Sequence, residues 1–89
     1  MPAPAYEIKI LTPQGLVYSG RVEHALIPAE DGLAGVLANH APYVTSSSGG
    51  RLELREAGGV EKKFRIGAGF FEVAHNHAAF LTTSFSAEG

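Results

Sequence analysis

Hydrophobic and polar residues alternate along several short stretches of the chain. In the first, Tyr6, Ile8 and Ile10 are separated by charged residues. The same period of two recurs in residues 51–56 and 60–66. Because successive side chains of a β-strand point to opposite faces, this pattern predicts strands with one buried and one solvent-facing side.

Turn-forming residues separate these stretches and predict where the chain reverses. Proline presets φ and glycine accepts positive φ, so both favour tight turns. We predict turns or bends at Thr12-Pro13-Gln14-Gly15, at Gly20, at Gly49-Gly50 as a two-residue hairpin, at Ala57-Gly58-Gly59, at Gly67-Ala68-Gly69 and around His75-Asn76-His77. Further strands are expected at residues 16–19, 21–27, 70–73 and 78–82, with a polar edge strand at 43–47.

Short strands with regular turns predict an all-β fold, an antiparallel sandwich or barrel. No stretch has the period of an amphipathic helix. We expect a single domain over residues 1–89, with an ordered core at residues 6–82. The predicted core residues are Ile8, Ile10, Val22, Leu52, Leu54, Phe64, Phe70 and Leu81.

The longest segment without a clear strand pattern runs from Ile27 to Pro42. It is punctuated by glycines, carries the adjacent acids Glu30 and Asp31, and has a short strand signal only at residues 36–37. It holds no nucleophile beside a base, no metal-ligand spacing and no phosphate-binding glycine pattern. Because long ordered loops without chemistry are typically binding surfaces, we predict a docking site here.

The composition narrows the function further. The 89 residues include no cysteine, which excludes a disulfide framework and a thiolate zinc site, and the net charge is −2. This balance argues against a nucleic-acid binder that neutralises phosphates. No apolar run approaches the ~20 residues that span a bilayer, and the start lacks signal-peptide features. We expect a soluble intracellular protein that meets a membrane only through a partner.

Three motifs allow a chemical interpretation, but each favours a structural one. His75 and His77 offer half of a metal site without a third ligand nearby, and the pattern favours solvated residues beside a hairpin turn. The serines at 46–48 lack a base and an oxyanion hole. Gly67-Ala68-Gly69 is not followed by a helix that would hold a phosphate. We therefore predict no catalytic residue, no metal and no cofactor.

Several motifs occur in the order found in a known family. They are residues 10–20, Ile27-Pro28 through Asp31-Gly32, Gly35-Val36-Leu37, His40-Ala41-Pro42, Gly50-Arg51-Leu52 and residues 67–73. With them the chain resembles the N-terminal β-sandwich domain of the epsilon subunit of F-type ATP synthases, the counterpart of the mitochondrial delta subunit. The resemblance covers residues 6–82 and implies two packed five-stranded sheets.

The resemblance also implies a function. Members of this family lie at the foot of the central stalk, pack on the gamma subunit and on polar loops of the membrane c-ring, and rotate with both. It implies a non-catalytic rotor subunit of a proton- or sodium-translocating ATP synthase. Such a subunit is peripheral, on the cytoplasmic face of a bacterial inner membrane, and the catalytic sites lie on other subunits.

The family's contacts carry over only where a motif matches. The implied c-ring contact comprises Asp31, Gly32, Leu33, Ala34, Gly35 and His40. The implied gamma contact comprises Thr12, in the first turn, and Thr45, in the strand after the His-Ala-Pro motif. We expect Leu33 to be the apolar anchor of the c-ring contact. Glu30 and Asp31 are expected to be rim charges that orient the docking.

Three departures from the family pattern matter. Many relatives carry an acid near Leu33, so we do not carry over the ion pair that this acid forms with the ring. Asn39 replaces a common glycine before the histidine. Many relatives also continue into a two-helix C-terminal hairpin that can inhibit ATP hydrolysis. The given sequence ends at Gly89. It is either a naturally short epsilon subunit or a shortened one, and in both cases we expect no helical inhibitor of that type.

Two other classes of function stay open on the sequence alone. One is a free-standing β-sandwich binding module. Co-purification with a gamma-type subunit would distinguish a rotor subunit from such a module. The other is a small metal-dependent enzyme that uses His75 and His77, which stoichiometric zinc or iron would support.

Overall fold

The computed structural model describes residues 3–88, which form nine β-strands and no helix. The strands are β1 (Tyr6–Thr12), β2 (Gly15–Ala29), β3 (Gly32–Leu37), β4 (Tyr43–Ser47), β5 (Gly50–Glu56), β6 (Glu61–Ile66), β7 (Gly69–Ala74), β8 (His77–Thr82) and β9 (Phe85–Ala87). The predicted all-β class is confirmed. The described range accordingly contains no helix with the length and hydropathy needed to cross a bilayer.

One hydrogen-bonded sheet contains all nine strands, and β2 joins its two halves. The strand order is β4-β7-β8-β1-β2-β5-β6-β9, with β3 paired to β2. Residues 15–22 of β2 pair with β1, whereas residues 24–29 pair with β3. Each half therefore counts five strands, because the 15-residue β2 belongs to both.

β2 contains two bulges, and neither lies at Gly20. The register with β1 shifts between Ile10 and Leu11, which leaves Val17 as the extra residue of β2. Gly20 stays in register opposite Ile8, so the expected bend there is wrong. The register with β5 shifts between Val22 and His24, which places the second bulge at Glu23. This is the point where β2 passes from the first half of the sheet to the second.

The inner faces of the two halves share one hydrophobic core. The first half contributes mainly Tyr6, Ile8, Ile10, Phe71, Val73 and Phe80, and the second contributes Ala25, Ile27, Val36, Leu52, Leu54, Phe64 and Ile66. The Tyr6 hydroxyl also donates a 2.8 Å hydrogen bond to the carbonyl oxygen of Val36. This bond ties β1 to β3 inside the core.

Two of the eight predicted core residues are wrong. Phe70 and Leu81 are 44% and 36% exposed, whereas Phe71 and Phe80 are fully buried. Phe70 pairs with Leu81 and Phe71 with Phe80, so a single error of register misplaces both residues. The other six are buried as predicted: Ile8, Ile10, Val22, Leu52, Leu54 and Phe64.

Two predicted connections are also wrong. The expected long loop is largely strand, because residues 27–29 end β2 and residues 32–37 form β3. The two pair antiparallel, with Pro28 opposite Leu33. Gly49-Gly50 is not a hairpin turn, because β4 pairs with β7 while β5 pairs with β2 and β6. Both glycines do have positive φ, at 96° and 138°, and they lead the chain from one half to the other.

One strand pair departs from the antiparallel prediction. β1 and β8 run parallel, with Glu7 to Leu11 alongside His77 to Leu81, and every other pairing of the described strands is antiparallel. The turn between β7 and β8 follows expectation. His75 and Asn76 have φ of 52° and 62°, as a two-residue hairpin with a primed turn requires. β4 is an edge strand, as predicted.

Candidate interaction site

β2 and β3 form a hairpin that ends in an exposed two-residue turn. Ala29 pairs with Gly32, so Glu30 and Asp31 lie at the tip, and Gly32 has a φ of 119°. Glycine adopts a positive φ after a tight turn at no steric cost. The tip therefore presents two carboxylates, both exposed, immediately before the apolar strand β3.

The outer face of β3 is apolar and contains a notch. Leu33 and Leu37 are 68% and 55% exposed. Gly35 shares their face, because it is two residues from each along the strand. Of the described atoms, a Cβ added at Gly35 would approach only His24 Nε2 within 4 Å, at 3.2 Å. An incoming aliphatic side chain therefore finds space between two leucines.

Side chains of edge strand β4 hold the turn of this hairpin. Ser46 Oγ donates a hydrogen bond to the Glu30 carboxylate at 2.6 Å. The Glu30 amide donates to Thr45 Oγ1 at 3.4 Å, and that hydroxyl donates to the Ser46 carbonyl oxygen at 3.0 Å. The structure thus places Thr45, from the predicted gamma contact, against the hairpin of the predicted c-ring contact.

His40 lies apart from the other residues of the predicted c-ring contact. Asp31 to Gly35 are together at the turn and on β3, whereas His40 follows the opposite end of that strand, in the link to β4. His40 Nδ1 lies 2.7 Å from the Ala41 carbonyl oxygen, and its ring lies 5.7 Å from the ring of Tyr43. The imidazole is therefore held against its own loop.

The link that carries His40 is fastened to the β7–β8 turn. The Asn39 amide donates to Asn76 Oδ1 at 2.6 Å, and Asn76 Nδ2 donates to Asn39 Oδ1 at 3.1 Å. Asn39 has a φ of 65°. Asparagine tolerates this left-handed conformation better than most residues, which explains its presence where the resembling family commonly has glycine.

Thr12 borders a second apolar surface, on the outer side of the first half of the sheet. Leu11, Leu81 and Phe70 form a row across β1, β8 and β7. With Pro13 they line a shallow groove of about 430 Å³. Thr12 Oγ1 accepts a 3.2 Å hydrogen bond from the amide two residues on and so closes the first turn. Contiguous exposed apolar residues of this kind are typical of protein–protein contacts.

The histidines at the β7–β8 turn do not complete a metal site. In residues 3–88 no three side chains of the metal-ligating types come together. His77 Nδ1 lies 3.7 Å from the Glu7 carboxylate, and both His75 and His77 are exposed. The arrangement is that of exposed polar side chains beside a turn.

The raised tyrosine pKa values belong to the packing of the sandwich. Burial raises the pKa of Tyr6. Burial, followed by a 2.6 Å hydrogen bond from its hydroxyl to the Glu56 carboxylate, raises the pKa of Tyr18. Neither hydroxyl lies on the outer face of the hairpin.

Residues 5–88 match the sequence model of one family, the β-sandwich domain of the ATP synthase delta/epsilon chain. The chain belongs to this family. The "ATP synthase epsilon chain" of Chlorobium limicola is 38% identical over 82 residues, covering 92% of this chain and 93% of that protein. The epsilon chain of Leptospira interrogans serovar copenhageni is 33% identical over 82 residues, covering 92% of this chain and 64% of that protein.

Solved ATP synthases contain the same delta/epsilon fold. In the cryo-EM structure of the Euglena gracilis mitochondrial enzyme with OSCP, F1 and c-ring, one chain superposes with a TM-score of 0.86 at 24% identity, over 96% of this chain and 55% of that chain. In the Tetrahymena thermophila central stalk and c-ring, the TM-score is 0.74 at 14% identity, over 97% and 69%. At these identities the likeness establishes the fold.

Sequence reasoning missed two residues around the β2–β3 hairpin, Leu37 and Ser46. Leu37 shares the outer face with Leu33, and the spacing of Leu33, Gly35 and Leu37 would have revealed it once residues 32–37 were taken as a strand. Ser46 and Glu30 were not paired, because 16 residues separate them and no local pattern connects them. Their contact exists only because the two halves of the sheet pack together.

Proposed function

We propose that the chain is a non-catalytic rotor subunit of an F-type ATP synthase that links the gamma subunit to the membrane c-ring. The observation that carries this proposal is the family match over residues 5–88, together with 38% identity over 93% of an epsilon chain. Such a subunit couples ion flow through the ring to ATP synthesis at catalytic sites on other subunits.

The β2–β3 hairpin is the proposed c-ring contact. It comprises Asp31, Gly32, Leu33, Ala34 and Gly35, with His40 at the far edge of the contact. Desolvated apolar anchors carry most of the affinity of an interface, whereas exposed rim charges mainly orient it. The 68% exposure of Leu33 supports its role as the anchor, and the open notch at Gly35 supports close approach of a ring loop.

The proposed gamma contact lies around Thr12 and Thr45. Thr12 stands at the rim of the groove lined by Leu11, Phe70 and Leu81, and covering that groove would remove an apolar row from water. Thr45 is half-buried beside the hairpin turn. A gamma subunit that contacts both threonines would therefore also touch the turn of the β2–β3 hairpin.

This assignment makes the protein a peripheral component of a membrane-bound complex. Bacterial relatives named ATP synthase epsilon chain support it. We propose the cytoplasmic face of a bacterial inner membrane as its location, with protons or sodium ions as the coupling ion and no cofactor bound by the chain itself.

Reconstitution of the synthase from complexes stripped of this subunit tests the proposal. Wild-type chain should bind a gamma–c-ring complex and restore ion-driven ATP synthesis. Leu33→Asp should weaken binding at least about tenfold, because it puts a charge at the apolar anchor. Val60→Asp is the matched control, since Val60 is 56% exposed on the β5–β6 turn. Failure of the wild-type chain to bind gamma and c subunits would refute the assignment.

A further inference from the structure

The tip of the β2–β3 hairpin is held by two hydrogen bonds to β4. The bond from Ser46 Oγ to Glu30 Oε2 measures 2.6 Å, within the short range of charge-assisted bonds to a carboxylate. The Glu30 amide adds a longer bond of 3.4 Å to Thr45 Oγ1. Among the described residues these are the side-chain hydrogen bonds that connect the turn to another strand.

These bonds cross from one half of the sandwich to the other. β3 pairs with β2 in the second half, whereas β4 is attached through β7 to the first half. Thr45 stands opposite Phe71, which is fully buried, so the strand that carries Ser46 is anchored in the core. A hairpin paired along one edge is free to tilt at its tip, and a bond to a fixed strand removes that freedom.

We propose that Ser46 and Glu30 are positioning residues whose hydrogen bond fixes the angle of the hairpin that carries Leu33. The docking part of this inference rests on the proposed function. The Glu30 carboxylate acts here as the acceptor of this bond, apart from any part that its charge plays in orienting the docking. Glutamine keeps an acceptor oxygen and loses the charge, so Glu30→Gln separates the two roles, whereas Glu30→Leu removes both.

The free subunit allows a direct test of the hairpin angle. Because the chain has no cysteine, spin labels at Asp31→Cys on the tip and Val60→Cys on the β5–β6 turn report one distance. We expect Ser46→Ala and Glu30→Leu to broaden its distribution to about twice the original width. Ser46→Thr and Glu30→Gln, which keep a donor or an acceptor, should leave it narrow. Ser48→Ala removes an exposed hydroxyl two residues along and is the matched control.

The assembled synthase tests the consequence for docking. At equal amounts of bound subunit, Ser46→Ala and Glu30→Leu should lower ion-driven ATP synthesis about two- to tenfold. Their melting temperatures should stay near that of the wild type, because both side chains are exposed. Ser46→Thr should restore the rate. A role confined to the stability of the sandwich would instead change the melting temperature.

The outcomes separate this inference from the proposed function. An unchanged distance distribution in Ser46→Ala overturns the inference. A broadened distribution with normal ATP synthesis, in a preparation where Leu33→Asp is defective, overturns the positioning role. If Leu33→Asp is also normal, the proposed ring contact is wrong, and the measurement on the free subunit still decides whether Ser46 fixes the hairpin.

Discussion

Phe70 and Leu81 stand opposite each other on β7 and β8 and face outward, away from the core. Their chain neighbours Phe71 and Phe80 are also opposite each other, on the inner side, where both are fully buried. Side chains of a strand alternate between its two faces, so the register that puts Phe71 and Phe80 inside also puts Phe70 and Leu81 outside. The pairing that fills the core therefore also creates the exposed apolar row beside Thr12.

Phe71→Ala should lower the free energy of unfolding by about 3–5 kcal/mol, because it empties a buried aromatic site. Phe70→Ala, one residue away and 44% exposed, should cost less than about 1 kcal/mol. Denaturant unfolding followed by circular dichroism measures both. Equal losses would contradict the outward orientation of Phe70. If Phe71→Ala does not fold, Phe71→Leu gives the milder comparison.

Tyr6→Phe should destabilise the fold by about 1–3 kcal/mol, because the buried carbonyl of Val36 loses its hydrogen bond from the Tyr6 hydroxyl. Tyr43→Phe, which removes the hydroxyl of a half-buried tyrosine, is the control. The same unfolding measurement applies. Wild-type stability in Tyr6→Phe would mean that the bond between β1 and β3 contributes nothing.

Glu88 bridges two arginines that oppose each other on β5 and β6. Its carboxylate lies 2.6 Å from Arg51 Nε and 3.1 Å from Arg65 Nη2. Partial desolvation works to raise the pKa of the Glu88 carboxyl, but the hydrogen bonds and charges of the two arginines outweigh it and hold that pKa below its ordinary value. The bridge relieves the repulsion between Arg51 and Arg65 and fastens the end of β9.

A depressed carboxyl pKa gives stability that is present above the unfolded-state pKa of about 4.3 and lost as pH falls through the folded-state value. We therefore expect Glu88→Gln to lower the melting temperature near neutral pH. The difference from wild type should disappear in more acidic solution and shrink in concentrated salt. Thermal unfolding over a pH series measures it. A difference that persists after full protonation would rule out this bridge as its cause.

Gly35→Val should fold normally yet bind the gamma–c-ring complex about fivefold or more weakly, because the new side chain fills the notch between Leu33 and Leu37. The added Cβ needs only a small shift of His24, whose Nε2 would be 3.2 Å away. Ala79→Val, on the outer face of β8, is the control. Binding to stripped membranes gives the affinity, and unchanged binding would exclude this face from the contact.

Alternation was enough to predict β1, β5 and β6, because charged residues mark their outer faces. The sequence of β3 is Gly-Leu-Ala-Gly-Val-Leu. It has no polar residue, so no alternation shows which side chains face outward. At Gly49-Gly50 the local signal for positive φ was sound. Which strands pair across such a turn is decided by packing of the two halves, and no local pattern encodes it.

The same limit applies to the candidate site. Asp31 to Gly35 could be grouped from the sequence because they are consecutive. The resemblance brought His40 into the same contact, although the structure places it beyond the other end of β3. Ser46 could not be assigned, because its contact with Glu30 requires the hairpin and β4 to meet across the sandwich.

β2 begins at the turn that follows Thr12 and ends at the turn that precedes β3, so Thr12 of the proposed gamma contact and the hairpin of the proposed c-ring contact stand at opposite ends of one continuous strand. A β-strand rises ~3.2–3.4 Å per residue, close to the ~3.3–3.6 Å limit of a fully stretched chain. Such a strand can lengthen very little, so a force applied at one end is transmitted to the other along the covalent chain. Under load the domain should behave as a stiff tie between its proposed partners, with its compliance concentrated at the bulges at Val17 and Glu23.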